Sequence, residues 1–390
     1  MKILQVTPVF YPAVAYGGIV GVVHEISKRL AERGHEVTIY TTDANKDSRI
    51  KDNFSNMDKV EIYYFKNISN SLAWTHRLFI SLTMILSIKK EIRNFDIIHI
   101  HDFRTFQSIV VSHYAKKYGV PYVLQPHGSI TSDVSKQRLK KWFDIVFGCR
   151  ILKGAEKILA LNETEAKKCT EMEVEAENIE VVPNGIDLAG YKSLPRRGEF
   201  RRKYGVDGKI VLYLGRIDKS KGLDLLFRAF AGISRKLDDL KLVIVGPDDG
   251  YLSNLKELID HLKINDKIIF TGFISGKDKL SAYVDADVFV TPSFYGFPLT
   301  FLEAMACGVP IITTDKGDFI EGIDNEVVFV VRYTEKELEN ALFRILTDDE
   351  LRERFRRNCR EKISEYDWEV IVNKIEGIYS SVVKRDGQIC

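Results

Sequence analysis

Cysteine is scarce and scattered in this 390-residue chain. Cys149, Cys169, Cys307, Cys359 and Cys390 lie far apart, with no C-x-x-C pair. That spacing argues against a disulfide framework or a structural zinc site and fits a reducing compartment. Long apolar runs are missing too. The longest, Leu78 to Ile88, has eleven residues, whereas crossing a bilayer takes about 20. The opening Met1-Lys2-Ile3-Leu4-Gln5-Val6 lacks the apolar stretch and small-residue cleavage site of a secretory leader, so a cytoplasmic protein is expected. Nor does one sign of charge prevail: 57 Lys plus Arg against 55 Asp plus Glu leave a net charge of +2, which excludes a general polyanion or nucleic-acid binder. The balance is a cancellation, because residues 1–185 carry 25 basic and 21 acidic groups and the remainder is slightly acidic. Finally, neither G-x-x-x-x-G-K-[ST] nor G-x-G-x-x-G occurs, so a P-loop nucleotidase or a dehydrogenase is not indicated.

What is present is a core-building pattern. With 45% hydrophobic residues the chain has ample material for packed domains. Short β-branched runs alternate with amphipathic, helix-length segments from end to end. One series takes in Ile3–Val9, Val37–Thr42, Ile62–Phe65, Ile97–His101, Tyr122–Gln125, Ile158–Leu161 and Ile179–Val182; a second takes in Ile210–Gly215, Lys241–Val245, Ile268–Thr271, Val288–Thr291, Pro310–Thr314 and Val327–Val331. Such runs read as strands buried on both faces with helical crossovers, hence parallel α/β sheets. The turn-rich Pro183-Asn184-Gly185-Ile186-Asp187 and the polar stretch to Gly208 separate the two series. The reading is two Rossmann-like domains, residues 1–190 and 191–366, followed by a final helical segment, 367–390. Its apolar stripe, Trp368, Ile371, Val372, Ile375, Ile378 and Tyr379, must be buried somewhere.

Chemistry-bearing residues gather where strands give way to helices. After the run ending at Thr291 comes Pro292-Ser293-Phe294-Tyr295-Gly296-Phe297-Pro298-Leu299-Thr300, then a helix carrying Glu303. Backbone N–H groups of Leu299 and Thr300 at that helix start suit a phosphate. Glu303, one turn on, can accept hydrogen bonds from vicinal hydroxyls of a sugar. Arg216 and Lys221 bracket the turn Gly215-Arg216-Ile217-Asp218-Lys219-Ser220-Lys221-Gly222, one as a planar fork and one as a point charge for a diphosphate. Gly17 and Gly18 open the first helix and permit close backbone approach to a ligand. His127, in Gln125-Pro126-His127-Gly128, ends a strand and reads either as an active-site group or as a satisfied core imidazole. His99 and His101 alternate along one strand without the carboxylate or thiol partners of a metal site. Asp285-Ala286-Asp287 spells D-x-D, read here as a cap on the preceding helix and the start of the next strand.

Taken in order, these segments resemble the retaining glycosyltransferases of family 4. The resemblance rests on Gly17-Gly18, Arg33-Gly34-His35-Glu36-Val37, Asp96-Ile97-Ile98-His99, Pro126-His127-Gly128, Pro183-Asn184-Gly185-Ile186-Asp187, Gly215-Arg216 with Lys221-Gly222, and the Pro292–Pro310 block, and it spans nearly the whole chain. It implies the α/β GT-B fold: two Rossmann-like domains facing each other across a cleft, with the C-terminal helix crossing back to the first domain. It implies transfer of a sugar from a UDP-sugar or GDP-mannose type donor to a glycan or lipid-linked acceptor, with retention of configuration and with neither a metal nor another cofactor. It also implies an N-terminal acceptor domain, a C-terminal donor domain and closure about residues 185–208. Carried over by position, Arg216 and Lys221 resemble the diphosphate clamp, and Glu303 resembles the second glutamate of the family's motif, which grips ribose. Leu299 and Thr300 match the phosphate-contacting amides, and Tyr295, Gly296 and Phe297 belong to the same donor loop. Ile274 falls where the nucleobase packs, Gly17 and Gly18 where glycine closes over the diphosphate, and His127 where a histidine meets the transferred sugar. The catalytic set implied is thus His127, Arg216, Lys221 and Glu303.

One departure stands out. Tyr295 occupies the place of the family's first glutamate, eight positions before Glu303. A phenol offers one hydrogen-bonding group, no charge and more bulk. Two other readings therefore stay open: a nucleotide-sugar epimerase of the same fold, or a weakly active nucleotide-sugar-binding subunit. A basic stretch from Lys136 to Lys157, seven cations against two acids with apolar residues interleaved, reads either as a surface for anionic lipid at the inner membrane face or as an ordinary helix with a wet basic side.

Overall fold

The structure, a computed structural model, describes residues 1–46, 48–130, 137–293, 297–317 and 327–386. Two compact units emerge: residues 1–184 together with the segment from Trp368 onward, and residues 185–367. The seam falls at Asn184 rather than at 190. Ile186 pairs with Asp367, and its N–H donates to the Tyr366 carbonyl at 2.8 Å, which ties the start of the second unit to its own end.

The first unit is built on an eight-stranded sheet: β1 (Lys2–Val6), β2 (Glu36–Thr42), β3 (Phe54–Met57), β4 (Val60–Phe65), β5 (Ile97–His101), β6 (Tyr122–Gln125), β7 (Lys157–Ala160) and β8 (Ile179–Val181). Their order is β3-β4-β2-β1-β5-β6-β7-β8, parallel throughout except for the β3–β4 hairpin. The apolar runs of the sequence coincide with every strand but β3. That strand is an edge with alternating exposed positions, so it has no continuous apolar run to betray it. Its two-residue turn, Asp58-Lys59, has positive φ at both positions (54° and 65°), the conformation that lets a tight hairpin match strand twist.

The second unit holds six parallel strands: β9 (Lys209–Leu214), β10 (Leu240–Val245), β11 (Ile268–Gly272), β12 (Val288–Thr291), β13 (Ile311–Thr314) and β14 (Val328–Val331). The order β11-β10-β9-β12-β13-β14 is the doubly wound arrangement of dinucleotide-binding folds. Its core joins Leu212-flanking strand residues Val211 and Tyr213 to Leu226, Phe227 and Phe230 of the helix Leu223–Ile233.

The C-terminal helix, Trp368–Asp386, places Trp368, Ile371, Val372, Ile375, Ile378 and Tyr379 in one apolar cluster with Ile3, Val37, Ile97, Val123 and Leu159 of the first unit. Polar clamps fix its register. Arg33 donates to Glu376 (2.8 Å) and Glu369 (2.6 Å), His35 Nε2 pairs with Glu376 Oε1 (2.8 Å), and Lys374 donates to the Val181 carbonyl (2.7 Å). Hydrogen bonds from Arg33 and His35 hold the Glu376 carboxyl below its usual range. The Arg33-Gly34-His35 segment thus serves helix docking. Among the described residues no helix is long and apolar enough to cross a membrane.

Candidate active site

In the second unit β9 and β12 are neighbours whose connections leave in opposite directions, so a ligand crevice is expected beyond their carboxyl ends. The turn after β9 is zipped to the turn after β10. Gly215 N–H donates to the Val245 carbonyl (2.9 Å), Ile217 N–H to the Pro247 carbonyl (2.9 Å), and Asp249 N–H to the Ile217 carbonyl (3.0 Å). The backbones meet at Gly246, where φ is 142° and an added Cβ would lie 1.9 Å from the Gly215 carbonyl oxygen. Arg216 is exposed on this platform and pairs with Asp249. Lys221 is half-buried, and its ammonium has no hydrogen-bond or ion-pair partner among the described residues. Burial, with Arg216 nearby, holds its ammonium below the usual lysine range. The nearest acid in sequence, Asp218, spends its Oδ1 on the Ser220 N–H (2.9 Å). Its charge acts on the ammonium from a distance and offsets the burial only in part; a desolvated cation without a contacting counterion is costly, a cost that an anion would relieve.

Across the switch point, Tyr295 and Gly296 lie outside the described residues. Phe297 buries its ring near Tyr366 at 5.9 Å, so its side chain serves packing. The helix Leu299–Ala306 starts after Pro298 with no side-chain cap, and the N–H groups of Leu299 and Thr300 have no partner among the described residues. They carry the positive end of the helix dipole. Glu303 is not idle. Lys279 donates to its Oε1 (2.7 Å) and Tyr283 to its Oε2 (3.0 Å), both from the helix Gly276–Asp285. The Tyr283 hydroxyl is pushed well up by burial and by Glu303, and the Cys307 thiol, subject to the same two influences, rises to about 12. Glu303 keeps free lone pairs, now rigidly aimed. Ile274 is half-buried just after β11, two strand spacings or about 10 Å from β9 along the row of strand ends.

The D-x-D segment is structural. Asp285 Oδ2 accepts from Arg201 N–H (3.0 Å) and its Oδ1 from Gly198 N–H (2.5 Å), while Asp287 Oδ2 accepts from Ile210 N–H (2.8 Å). Asp285 therefore caps the helix Glu199–Tyr204, not its own helix as the sequence suggested. Among the described residues no group of three or more His, Cys, Asp or Glu is placed to hold a metal ion.

The first unit has its own switch point, between β1 and β5. Gly17, after β1, holds φ 113° and ψ −164°, a conformation essentially reserved for glycine, and starts the helix Gly18–Glu32 with no side-chain cap. After β6, His127 takes φ 54° and Gly128 φ 82°. This turn is held from two sides. Glu165 accepts from Gly128 N–H (2.7 Å) and Leu161 N–H (2.9 Å). Arg104 donates to the Ser129 and Ile130 carbonyls while gripping Asp144 through Nε (2.8 Å) and Nη2 (2.7 Å). His127 Nε2 lies 2.9 Å from His101 Nδ1, and His101 Nε2 lies 2.6 Å from Gln5 Oε1. Gln5 Nε2 reaches the Tyr379 hydroxyl at 3.3 Å, which sits 2.6 Å from His99 Nδ1. His99 and His101 are thus joined to a network of side chains.

Residues 16–189 match the family described as Glycosyltransferase Family 4, and residues 196–362 match Glycosyl transferases group 1. A putative glycosyltransferase of Bacillus subtilis is 31% identical over 76% of each chain. The chain belongs to the group 1 glycosyltransferases of family 4. A phosphatidyl-myo-inositol mannosyltransferase of Mycolicibacterium smegmatis is 27% identical over 98% of this chain and 94% of the other. In fold, the glycosyltransferase is similar to an Anabaena protein, HepE, solved in complex with UDP: TM-score 0.79, 19% identity, 98% of this chain and 100% of that one covered. Its two α/β domains are of GT-B type.

Sequence reasoning missed the supporting partners in this glycosyltransferase: Gly246, Lys279 and Tyr283 in one domain, and Gln5, Arg104, Glu165 and Tyr379 in the other. Gly246-Pro247 directly after an apolar run was the one legible signal. The others lie far in sequence from what they hold.

The buried imidazoles make a pH prediction. Burial holds His127 down to about 3, and burial plus neighbouring imidazoles hold His99 and His101 well below the usual histidine range. All three fold in the neutral form. The unfolded chain takes up protons below about pH 6.5, so their contribution is whole above that pH. It drains as pH falls towards the folded value, at up to about 1.4 kcal/mol per pH unit for each histidine. Urea unfolding at about pH 7 and about pH 5 should show a loss of a few kcal/mol at the lower pH; equal stability would contradict the assignment.

Proposed function

We propose that this glycosyltransferase moves a sugar from a nucleotide-diphosphate sugar, of UDP-sugar or GDP-mannose type, to a glycan or lipid-linked acceptor, with retention and without a metal ion. The observation that carries this reading is Lys221, a half-buried ammonium beside Arg216 with no ion-pair partner among the described residues, in the domain whose helix-start amides at Leu299 and Thr300 also lack a partner among the described residues. Cleaving the sugar–phosphate bond builds negative charge on the departing diphosphate. Arg216, exchanging Asp249 for phosphate, joins Lys221 and those amides in stabilising it. Glu303, held by Lys279 and Tyr283, accepts from ribose hydroxyls, and Ile274 packs the base. His127 of the first domain is offered to the sugar. The departing phosphate takes the acceptor's proton on the face it leaves, which preserves configuration. The UDP complex of the Anabaena protein and the name of the mycobacterial mannosyltransferase support a nucleotide-sugar donor and a lipid-linked acceptor.

Two measurements test the finer points. Turnover should persist in EDTA, and proton NMR of the product should show the donor's anomeric configuration. Loss of turnover in EDTA with recovery on adding a divalent ion would refute metal independence, and an inverted product would refute retention.

The lipid-linked reading draws support from the segment after Gln137. Arg138, Leu139, Lys141, Trp142 and Ile145 are exposed there, with Leu139 at 62%, Trp142 at 59% and Ile145 at 80%. Large apolar side chains standing out of a basic surface fit an anionic bilayer interface. The protein should sediment with anionic liposomes and not with zwitterionic ones, and charge reversal at Arg138, Lys140 and Lys141 should abolish this. Sedimentation indifferent to that reversal would remove the membrane contact.

A further inference from the structure

The buried side-chain chain behind His127 ends on the C-terminal helix, and it has a direction. Gln5, His99, His101 and Tyr379 are each fully buried, so their polar atoms depend on one another, with His99 Nε2 left without a partner among the described residues. Gln5 Oε1 can only accept, so the hydrogen at its 2.6 Å contact belongs to His101 Nε2. A neutral imidazole carries one N–H, so His101 Nδ1 is a lone pair. The 2.9 Å contact to His127 is then donated by His127 Nε2. At the other end, Gln5 Nε2 can only donate, and it does so to the Tyr379 oxygen at 3.3 Å. The Tyr379 hydrogen is left for His99 Nδ1 at 2.6 Å. The order of donors therefore runs unbroken from His127 to Gln5 and from Gln5 through Tyr379 to His99.

We propose that Gln5 and Tyr379 are positioning residues that set the tautomer of His127, fixing its proton on Nε2 and leaving Nδ1 as a hydrogen-bond acceptor for a hydroxyl of the sugar. The sugar part of this inference rests on the functional reading given above; the tautomer part does not. The pivot is the Gln5 amide. Turning it over reverses every donor in the row and puts the His127 proton on Nδ1, making that atom a donor instead. A hydroxyl can serve either end of an amide, so Tyr379 holds this direction by accepting from Gln5 Nε2 while its own hydrogen goes to His99 Nδ1, and a residue of the C-terminal helix thereby controls a proton at the His127 turn. Burial of the three rings, which keeps them neutral, is what makes one proton per imidazole the rule here. The C-terminal helix is then more than a packing element of its domain.

The test is nitrogen NMR of ¹⁵N-histidine-labelled full-length protein, with His127 assigned by comparison with His127→Ala. The wild type should show His127 protonated at Nε2 alone. Tyr379→Phe and Gln5→Met should show a mixture of tautomers or the Nδ1–H form, with kcat for transfer lowered about threefold to tenfold, the size of one misplaced hydrogen bond, and with KM for the donor unchanged. Tyr379→Phe removes a single oxygen; an unchanged thermal transition certifies its fold. An Nδ1–H wild type, or a tautomer indifferent to both substitutions, overturns the proposal. A fixed Nε2–H tautomer in a protein whose transfer rate ignores His127→Ala would instead sustain the relay and remove His127 from the sugar.

Discussion

Replacing Lys221 by Met is expected to lower kcat for sugar transfer by about 10²–10³-fold, the scale on which a preorganised group stabilising developing oxyanion charge acts. The same substitution should leave the donor domain as stable as before, or more stable. These two outcomes belong together. Lys221 is half-buried, its ammonium is held below the ordinary lysine range by burial with Arg216 adding to the effect, and the nearby Asp218 carboxylate offsets this only in part, without an ion pair. A group kept in that condition costs the folded state free energy, and under the proposed function a donor phosphate relieves it. Met retains the length and apolar stem while removing the charge. Kinetics with saturating donor and a thermal melt of the same preparation check both halves. A Lys221→Met protein that keeps its rate, or one that melts well below wild type, would place Lys221 in a structural role.

Gly246→Ala carries the largest effect expected on stability. The new Cβ would lie 1.9 Å from the Gly215 carbonyl oxygen, at a φ of 142° that alanine rarely adopts. Neither problem can be relieved by a rotamer change, since the obstructing atom is backbone. Separating the two turns would break the pairing of the platform that carries Arg216, namely the hydrogen bonds from Ile217 N–H to the Pro247 carbonyl and from Asp249 N–H to the Ile217 carbonyl. A cost of about 3–5 kcal/mol follows from adding backbone strain to overpacking. Urea unfolding measures it. The nucleotide affinity of whatever remains folded should fall as well, because Arg216 and Lys221 ride on the same turn. By contrast Gly250→Ala, at a position where a Cβ meets nothing within 4 Å, is the matched control, with only the strain of its positive φ to bear.

Much of the architecture was legible because buried parallel strands leave dense β-branched runs. Ile97–His101, Tyr122–Gln125 and Val288–Thr291 came out with the ends that the structure gives them. The β3 hairpin strand did not, since an edge strand that alternates exposed and half-buried residues looks like loop. The candidate site divides the same way. Arg216, Lys221 and the start of the helix at Leu299 are short-range features of strand–turn–helix segments, visible as sequence. Their supports are long-range: Lys279 and Tyr283 reach Glu303 from another helix, and Glu165 reaches Gly128 across 37 positions. Asp285 shows how spacing alone misleads. It was read as a cap for the helix before it, whereas it caps one 84 to 87 residues earlier in the chain.

The most direct test of the account is nucleotide release from a panel of nucleotide-diphosphate sugars, measured with and without candidate glycan and lipid-linked acceptors. The account predicts that one donor releases its nucleotide diphosphate slowly by itself and much faster with an acceptor, and that Lys221→Met abolishes the acceleration. Conversion of a donor into its epimer without acceptor, or binding of nucleotide with no release under any combination, would contradict it.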